Sequence, residues 1–226
     1  MFTHYLRPII SLLSSIFNYF MPPHPIKEVN KTVYYDFETT GLNVFHDRII
    51  DYCFLNDEDD HCIESLVNPR GKFEFIITKI TGIHPEDVED KLPIKDHLKD
   101  IVEFLESPTT EIINTVYLVA HNGAGLDDII LQNTLHKYNV KPDIKMKFID
   151  TLLIAKKLKV NDKYSLKALC ECYNIKPGKH RAKSDTVALK ELYYILTSIL
   201  ANKLNTEVHT LLNNPQMVHK WLYNYL

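Results

Sequence analysis

Residues Thr32–Leu42 (TVYYDFETTGL) constrain this chain more than any other stretch. Val33, Tyr34 and Tyr35 are β-branched or aromatic and no helix cap precedes them, which predicts a strand. Thr39-Thr40-Gly41 ends it, with Gly supplying a sharp turn. Asp36 and Glu38 stand two residues apart, and strand alternation puts both carboxylates on one face. Two like charges in an otherwise apolar strand repel each other and resist desolvation. A hard divalent cation between them resolves both problems.

The rest of the chain sorts into elements around that strand. Asp47–Phe54 and His61–Val67 read as two further strands of an antiparallel meander, joined by the charged turn Asn56–Asp60. Residues 78–84 read as a short helical turn closed by Gly82. A stretch from Asp90 or Pro93 to Glu106 places Ile94, Leu98, Ile101, Val102 and Leu105 on one helical face. Thr115–Ala120 is apolar throughout, as in a central strand buried on both sides. A helix from about Leu126 to Tyr138, a strand at Lys147–Asp150, and helices at Thr151–Leu158 and Ser165–Tyr173 follow. Long helices are expected at about Ala182–Leu200 and Thr206–Tyr225. Three strands and then alternating helix and strand describe an α/β mixed sheet flanked by helices.

Residues 1–25 differ from the domain expected over 26–226. Pro8–Met21 is apolar and Pro22-Pro23-His24-Pro25 forms a stiff linker. The apolar run falls short of the roughly 20 residues that span a bilayer, so residues 8–21 read as an appended helix or a weak membrane anchor. The four cysteines (53, 62, 170, 172) lack zinc-finger spacing and read as reduced thiols of a cytoplasmic or nuclear protein.

Net charge is only −3, yet residues 141–190 hold thirteen of the 26 Lys and Arg against five acids. A one-sided basic segment is an electrostatic footprint for a phosphate backbone, or else a set of solvated helix faces.

Three more acidic or histidine-bearing stretches attach to the first. Asp127 opens a helix after His121-Asn122-Gly123, and a carboxylate in that position is stabilised by the helix dipole. Asp185 lies at the start of the long helix, with His180 on the lead-in after Pro177-Gly178. Histidine is the side chain best suited to moving protons near neutral pH. Asp150-Thr151, at the end of the fifth strand, is a weaker candidate.

In this order, Asp36-x-Glu38, Asp127 and His180-x4-Asp185 resemble the DEDDh branch of the DnaQ-like 3′→5′ exonuclease superfamily over roughly residues 31–200. The Asn-Gly after His121 and the spacer to Asp127 are similar to TREX-like members. Asp47–Ile50, Thr81-Gly82-Ile83 and Ser165–Leu169 match weaker signposts. Leu126 and Asn174 depart from the pattern, where an aromatic and a Gly are usual. The resemblance implies an RNase H-like core with a five-stranded mixed sheet. It implies hydrolysis of the 3′-terminal phosphodiester of a nucleic acid with a free 3′ end, with two Mg²⁺ ions or Mn²⁺ in their place. By the same resemblance Asp36 bridges both ions, Glu38 and Asp185 serve the water-activating one, Asp127 contributes nearby, and His180 takes the water's proton. Thr39, Gly41 and Leu42 would hold the terminal nucleotide, with His121 and Asn122 beside them. DNA is the expected substrate, with RNA as the alternative and a non-catalytic binding module as the other class. The C-terminal helix, with Leu211, Leu212, Val218, Trp221 and Leu222, is expected either to form a homodimer or to pack on the core.

Overall fold

A computed structural model describes residues 29–107 and 113–224. The apolar segment expected at residues 8–21 and its proline linker lie outside those residues. Three strands open the fold: β1 (Val29–Thr39), β2 (Ile49–Asn56) and β3 (Cys62–Leu66). Three helices follow: α1 (Phe75–Thr81), α2 (Pro85–Glu89) and α3 (Ile94–Glu106). Then come β4 (Ile113–Ala120), a single 3₁₀ turn at Gly123–Gly125, α4 (Asp127–Lys137) and β5 (Lys145–Asp150). The chain continues through α5 (Thr151–Leu158), α6 (Leu166–Cys172), α7 (Ala182–Leu204), α8 (Val208–Leu212) and α9 (Pro215–Tyr223).

The five strands form one sheet in the order β3-β2-β1-β4-β5. β1 pairs antiparallel with β2 and parallel with β4, so the sheet is mixed, as expected. β1 is central and feeds both faces. Val33, Tyr35 and Phe37 pack with Leu98, Ile101 and Leu105 of α3 and Ile130 and Leu131 of α4. Tyr34, on the opposite face, packs with Leu189, Leu192 and Tyr193 of α7. Asp36 and Glu38 continue the Tyr34 face toward the strand's end. The alternation that buries the aromatic residues therefore also aims the two carboxylates at the start of α7.

Two expected elements differ. The helix expected over Thr206–Tyr225 is two helices, α8 and α9, because Asn214 leaves helical geometry and Pro215 restarts the helix at its first position. Leu211, Val218 and Leu222 are buried in the core beneath α7, so these helices pack on the domain. α2 is an addition to the expected elements and begins at Pro85 behind a capping box in which His84 and Asp87 satisfy each other's backbone amides. The short helix before it starts earlier than expected, at Phe75, and ends at Gly82, whose left-handed backbone (φ 70°) closes it.

Candidate active site

The ladder between β1 and β4 stops at Tyr34–Val119, while pairing with β2 continues to Thr39. The end of β1 is therefore open on its β4 side. Asp127, in the first turn of α4, comes to that opening, where the nearby Phe37 amide opposes the desolvation that raises its carboxyl. Its other contacts are few: Asp127 is buried, and its Oδ1 has no hydrogen-bond partner. Asp36 is half-buried and its carboxyl is pushed well above the ordinary range, first by desolvation and then by the charges of Asp127, Glu38 and Asp185. Desolvation also pushes Glu38 up to about 8, with Asp185 the leading like charge and Arg181 opposing. Asp127 is raised to about 8 by burial and by Asp128 beside it. The four carboxylates named from the sequence thus share one electrostatic site.

His180 joins them. One ligand atom from each of Glu38, His180 and Asp185 lies within 4.8 Å of the others. The approach depends on local backbone geometry. His180 has a left-handed backbone (φ 53°), and Arg181 N–H donates to Asp185 Oδ2 at 3.0 Å. Gly178 packs so closely that a Cβ there would overlap the Asp185 carboxylate. A neighbouring His and two backbone amides oppose the desolvation that raises Asp185.

Asp51 holds this arrangement to the sheet, a role the sequence reading missed. It lies opposite Glu38 on β2, is buried, and accepts from Arg181 Nε at 2.9 Å and Ala182 N at 3.3 Å. Its signal in the sequence was an acid inside the apolar run Ile49-Ile50-Asp51-Tyr52. Asp150 plays the matching part on the other side. It caps α5 through Leu152 N at 2.8 Å and also accepts from Asn122 N at 2.9 Å and Ala124 N at 3.3 Å. The weaker candidate from the sequence therefore fixes the loop that leads into Asp127. Asp128, beside it, is buried and accepts the Tyr35 hydroxyl.

The remaining named residues separate into two groups. Thr39 is buried and its hydroxyl donates to Gly41 O at 2.6 Å, shaping the turn. Leu42 projects from that turn with 82% of its surface exposed. His121 is turned inward: its ring nitrogens meet Thr151 Oγ1 and Tyr164 O, each at 2.9 Å. Burial lowers its pKa, so it acts as a neutral strut between β4, α5 and the loop before α6. Asn122 takes a left-handed backbone and stays exposed. Asn174, where a Gly was the usual residue, is also left-handed (φ 57°), a conformation Asn tolerates.

The donor set fits a divalent metal. Oxygen ligands suit a hard cation, and a buried carboxylate oxygen with no partner normally costs free energy unless something binds it. Glu38, His180 and Asp185 come close enough to share such an ion, and the charges of Asp36 and Asp127 act on the same site.

The exonuclease family model known as RNase T matches residues 33–193, which takes in every residue of this site. The PolC-type DNA polymerase III of Ureaplasma parvum is 26% identical over 209 residues, covering 86% of this chain. The chain spans only 14% of that polymerase. Among solved structures, E. coli Exonuclease I in complex with a dT13 oligonucleotide superposes with a TM-score of 0.63 at 17% identity, over 78% of this chain and 43% of that one. Exonuclease X in complex with 5′-overhanging duplex DNA gives 0.55 at 21% identity, over 79% of this chain and 95% of that one. The RNase H-like sheet is thus shared with these nucleases. With the family's matched region running from the first carboxylate strand into α7, the chain belongs to the RNase T exonuclease family.

Proposed function

We propose that this chain removes nucleotides one at a time from a free 3′ end, with single-stranded DNA as the preferred substrate and nucleoside 5′-monophosphates as products. The observation that carries this reading is the convergence of Asp36, Glu38, Asp127 and Asp185 around a buried Asp127 oxygen with no partner. These four residues would hold two Mg²⁺ ions, which would lower the pKa of the attacking water and stabilise charge on the leaving 3′-oxygen. His180 accepts the water's proton at an imidazole nitrogen, and its exposed position lets it pass that proton to solvent. The Thr39–Leu42 turn presents backbone groups to the terminal sugar, and the exposed Leu42 lies against the terminal base. Asp51 and Asp150 act at one remove, by fixing the loops that carry His180, Asp185 and Asp127.

The dT13 strand bound to E. coli Exonuclease I supports a single-stranded DNA substrate. The family's name favours RNA as the second reading. Incubation of matched 3′-labelled DNA and RNA oligomers with Mg²⁺ decides both questions. Release of labelled mononucleotides from DNA at the faster rate is the expected result. Efficient cutting of closed circular single-stranded DNA would overturn the exonuclease reading. His180→Ala is expected to lose about 10²–10⁴-fold in rate, the usual contribution of a general base, while retaining metal affinity. Loss of metal binding instead would make His180 a ligand.

A further inference from the structure

The basic segment beside the site has less free charge than the sequence implies. Arg181 is paired with Asp51 at 2.9 Å and Lys183 with Glu64 at 2.8 Å. Unspent positive charge lies instead on the other flank of the β1–β2 loop. There, Val44–Arg48, the 68–70 turn and one face of α4 enclose a cleft of ≈ 290 Å³. Arg48, Arg70, Lys137 and two histidines line it, against a single carboxylate, Asp47. That carboxylate is engaged: Oδ1 accepts the Thr40 hydroxyl at 2.8 Å, and Oδ2 accepts Asn43 N at 2.7 Å. Among the described residues, neither Arg70 nor Lys137 has a carboxylate partner.

The cleft's walls are fixed. Asn133 Nδ2 donates to Val44 O at 2.9 Å and ties the loop to α4. Arg48 donates to Pro69 O at 2.6 Å and joins the loop to the 68–70 turn. Arg70 is held in a left-handed backbone (φ 54°), with its N–H donating to Asn68 Oδ1 at 2.7 Å. A long side chain in that conformation is strained, and such strain persists where the surroundings impose it. Phe45, on the same rim, is 80% exposed. An exposed aromatic ring beside cations that have no carboxylate partner is the equipment of a single-strand track, in which bases stack and phosphates meet Lys and Arg.

We propose that this cleft takes the substrate strand on the 5′ side of the nucleotide being removed, with a phosphodiester at Arg70 and Lys137 and a base against Phe45. One continuous loop serves both ends: Thr39–Leu42 follows directly on Asp36 and Glu38 of β1, while Val44–Arg48 lines the cleft. The proposal rests on the exonuclease reading for the direction of the strand. It predicts that the enzyme favours long oligonucleotides over dinucleotides, because only the former reach the cleft.

The test compares the full chain with an Arg70→Asn, Lys137→Gln double variant on oligo-dT of two and twelve nucleotides. Asn tolerates the left-handed position and Gln is a good helix former, so a native circular-dichroism melt is expected. The wild-type preference for the dodecamer, as a ratio of kcat/KM values, is expected to fall about tenfold in the variant. The salt dependence of dodecamer binding, followed by fluorescence anisotropy with a chelator present, should become shallower by about 1.4 in log–log slope, the release from two phosphate contacts. Lys203→Gln, remote from the cleft, should change neither. An unchanged length preference together with an unchanged salt slope would overturn the proposal. So would an equal loss on both lengths. If the wild type releases no nucleotides at all, the exonuclease reading fails, and the anisotropy comparison still decides whether the cleft binds a polynucleotide.

Discussion

Two sets of buried or half-buried acids lie in and beside the same sheet and are treated in opposite ways. Asp51, Asp57 and Asp150 are fully engaged. Asp57 accepts hydrogen bonds from Tyr34 at 2.9 Å and Tyr194 at 2.7 Å, and lies 3.5 Å from Lys190. Asp51 has Arg181 and an amide, and Asp150 has three amides. Asp36, Glu38 and Asp127 sit a few residues away with mutual repulsion and, for Asp127 Oδ1, no partner at all. The fold has donors enough to satisfy an acid where structure requires it. The second set is left short, which is the signature of a site completed by a ligand.

The sharpest way to break that contrast is to remove one acid from the short-handed set. Asp36→Asn is expected to cost several orders of magnitude in nucleotide release. Adding Glu38→Gln should cost little more, because either change disables the same metal assembly. Without metal, the Asp36→Asn protein should melt at the same temperature or higher, since a repelling charge has gone. Multiplying losses in the double variant, or a metal-free protein that melts lower, would place Asp36 with the structural acids.

Asp51 lies between the two sets and sharpens the comparison. It touches no proposed ligand ion but holds Arg181 and Ala182, and through them His180 and Asp185. Asp51→Asn is expected to weaken metal affinity by about 10–100-fold, as supporting residues around metal ligands typically do. Saturating Mg²⁺ should restore most of kcat. A kcat that stays low at saturation would make Asp51 a ligand rather than a positioning residue. Asp57→Ala should do the reverse. It strands the hydroxyls of Tyr34 and Tyr194, while Lys190 keeps Asp60 and the backbone carbonyl at position 57, at a cost of about 1–3 kcal/mol. Thermal unfolding should show that loss, while kcat at a temperature where the variant is folded stays at the wild-type value.

The short-handed acids were legible in the sequence, while of the satisfied ones Asp150 shows there only as a weaker candidate and Asp51 and Asp57 not at all, for one physical reason. Asp36-x-Glu38 is visible because strand alternation forces two like charges together within three residues. Asp127 and Asp185 are visible because each opens a helix. Asp51 does its work through Arg181, 130 residues away in the chain, and local spacing holds no trace of such a partner. His121 shows the same limit. The family resemblance sets it beside the substrate, but its partners Thr151 and Tyr164, both distant in sequence, turn it inward. The sheet was readable because hydrophobic periodicity is local. The break at Asn214-Pro215 was also written locally, and an apolar pattern running across it hid the stop.

The smallest expected effect tests whether the repulsion is real. Glu38 is raised from an ordinary 4.5 to about 8, and Asp127 from 3.8 to about 8. A carboxyl raised in the folded state stays protonated there at pH values where the unfolded chain has already lost the proton. The folded protein then binds more protons, so stability falls as pH rises. This contribution is fully present below the unfolded values near 4, declines through the window from about 4 to 8, and is gone above the folded values. In chelator, the melting temperature is therefore expected to drop by a few degrees between pH 5 and pH 8.5. Mg²⁺ should flatten or reverse that slope by stabilising the ionised carboxylates. Glu38→Gln and Asp127→Asn should each flatten it without metal, while Asp57→Asn should leave it in place. A metal-free melting temperature that rises across this window would mean that the cluster is already paired and ionised. The two sets of acids would then be alike.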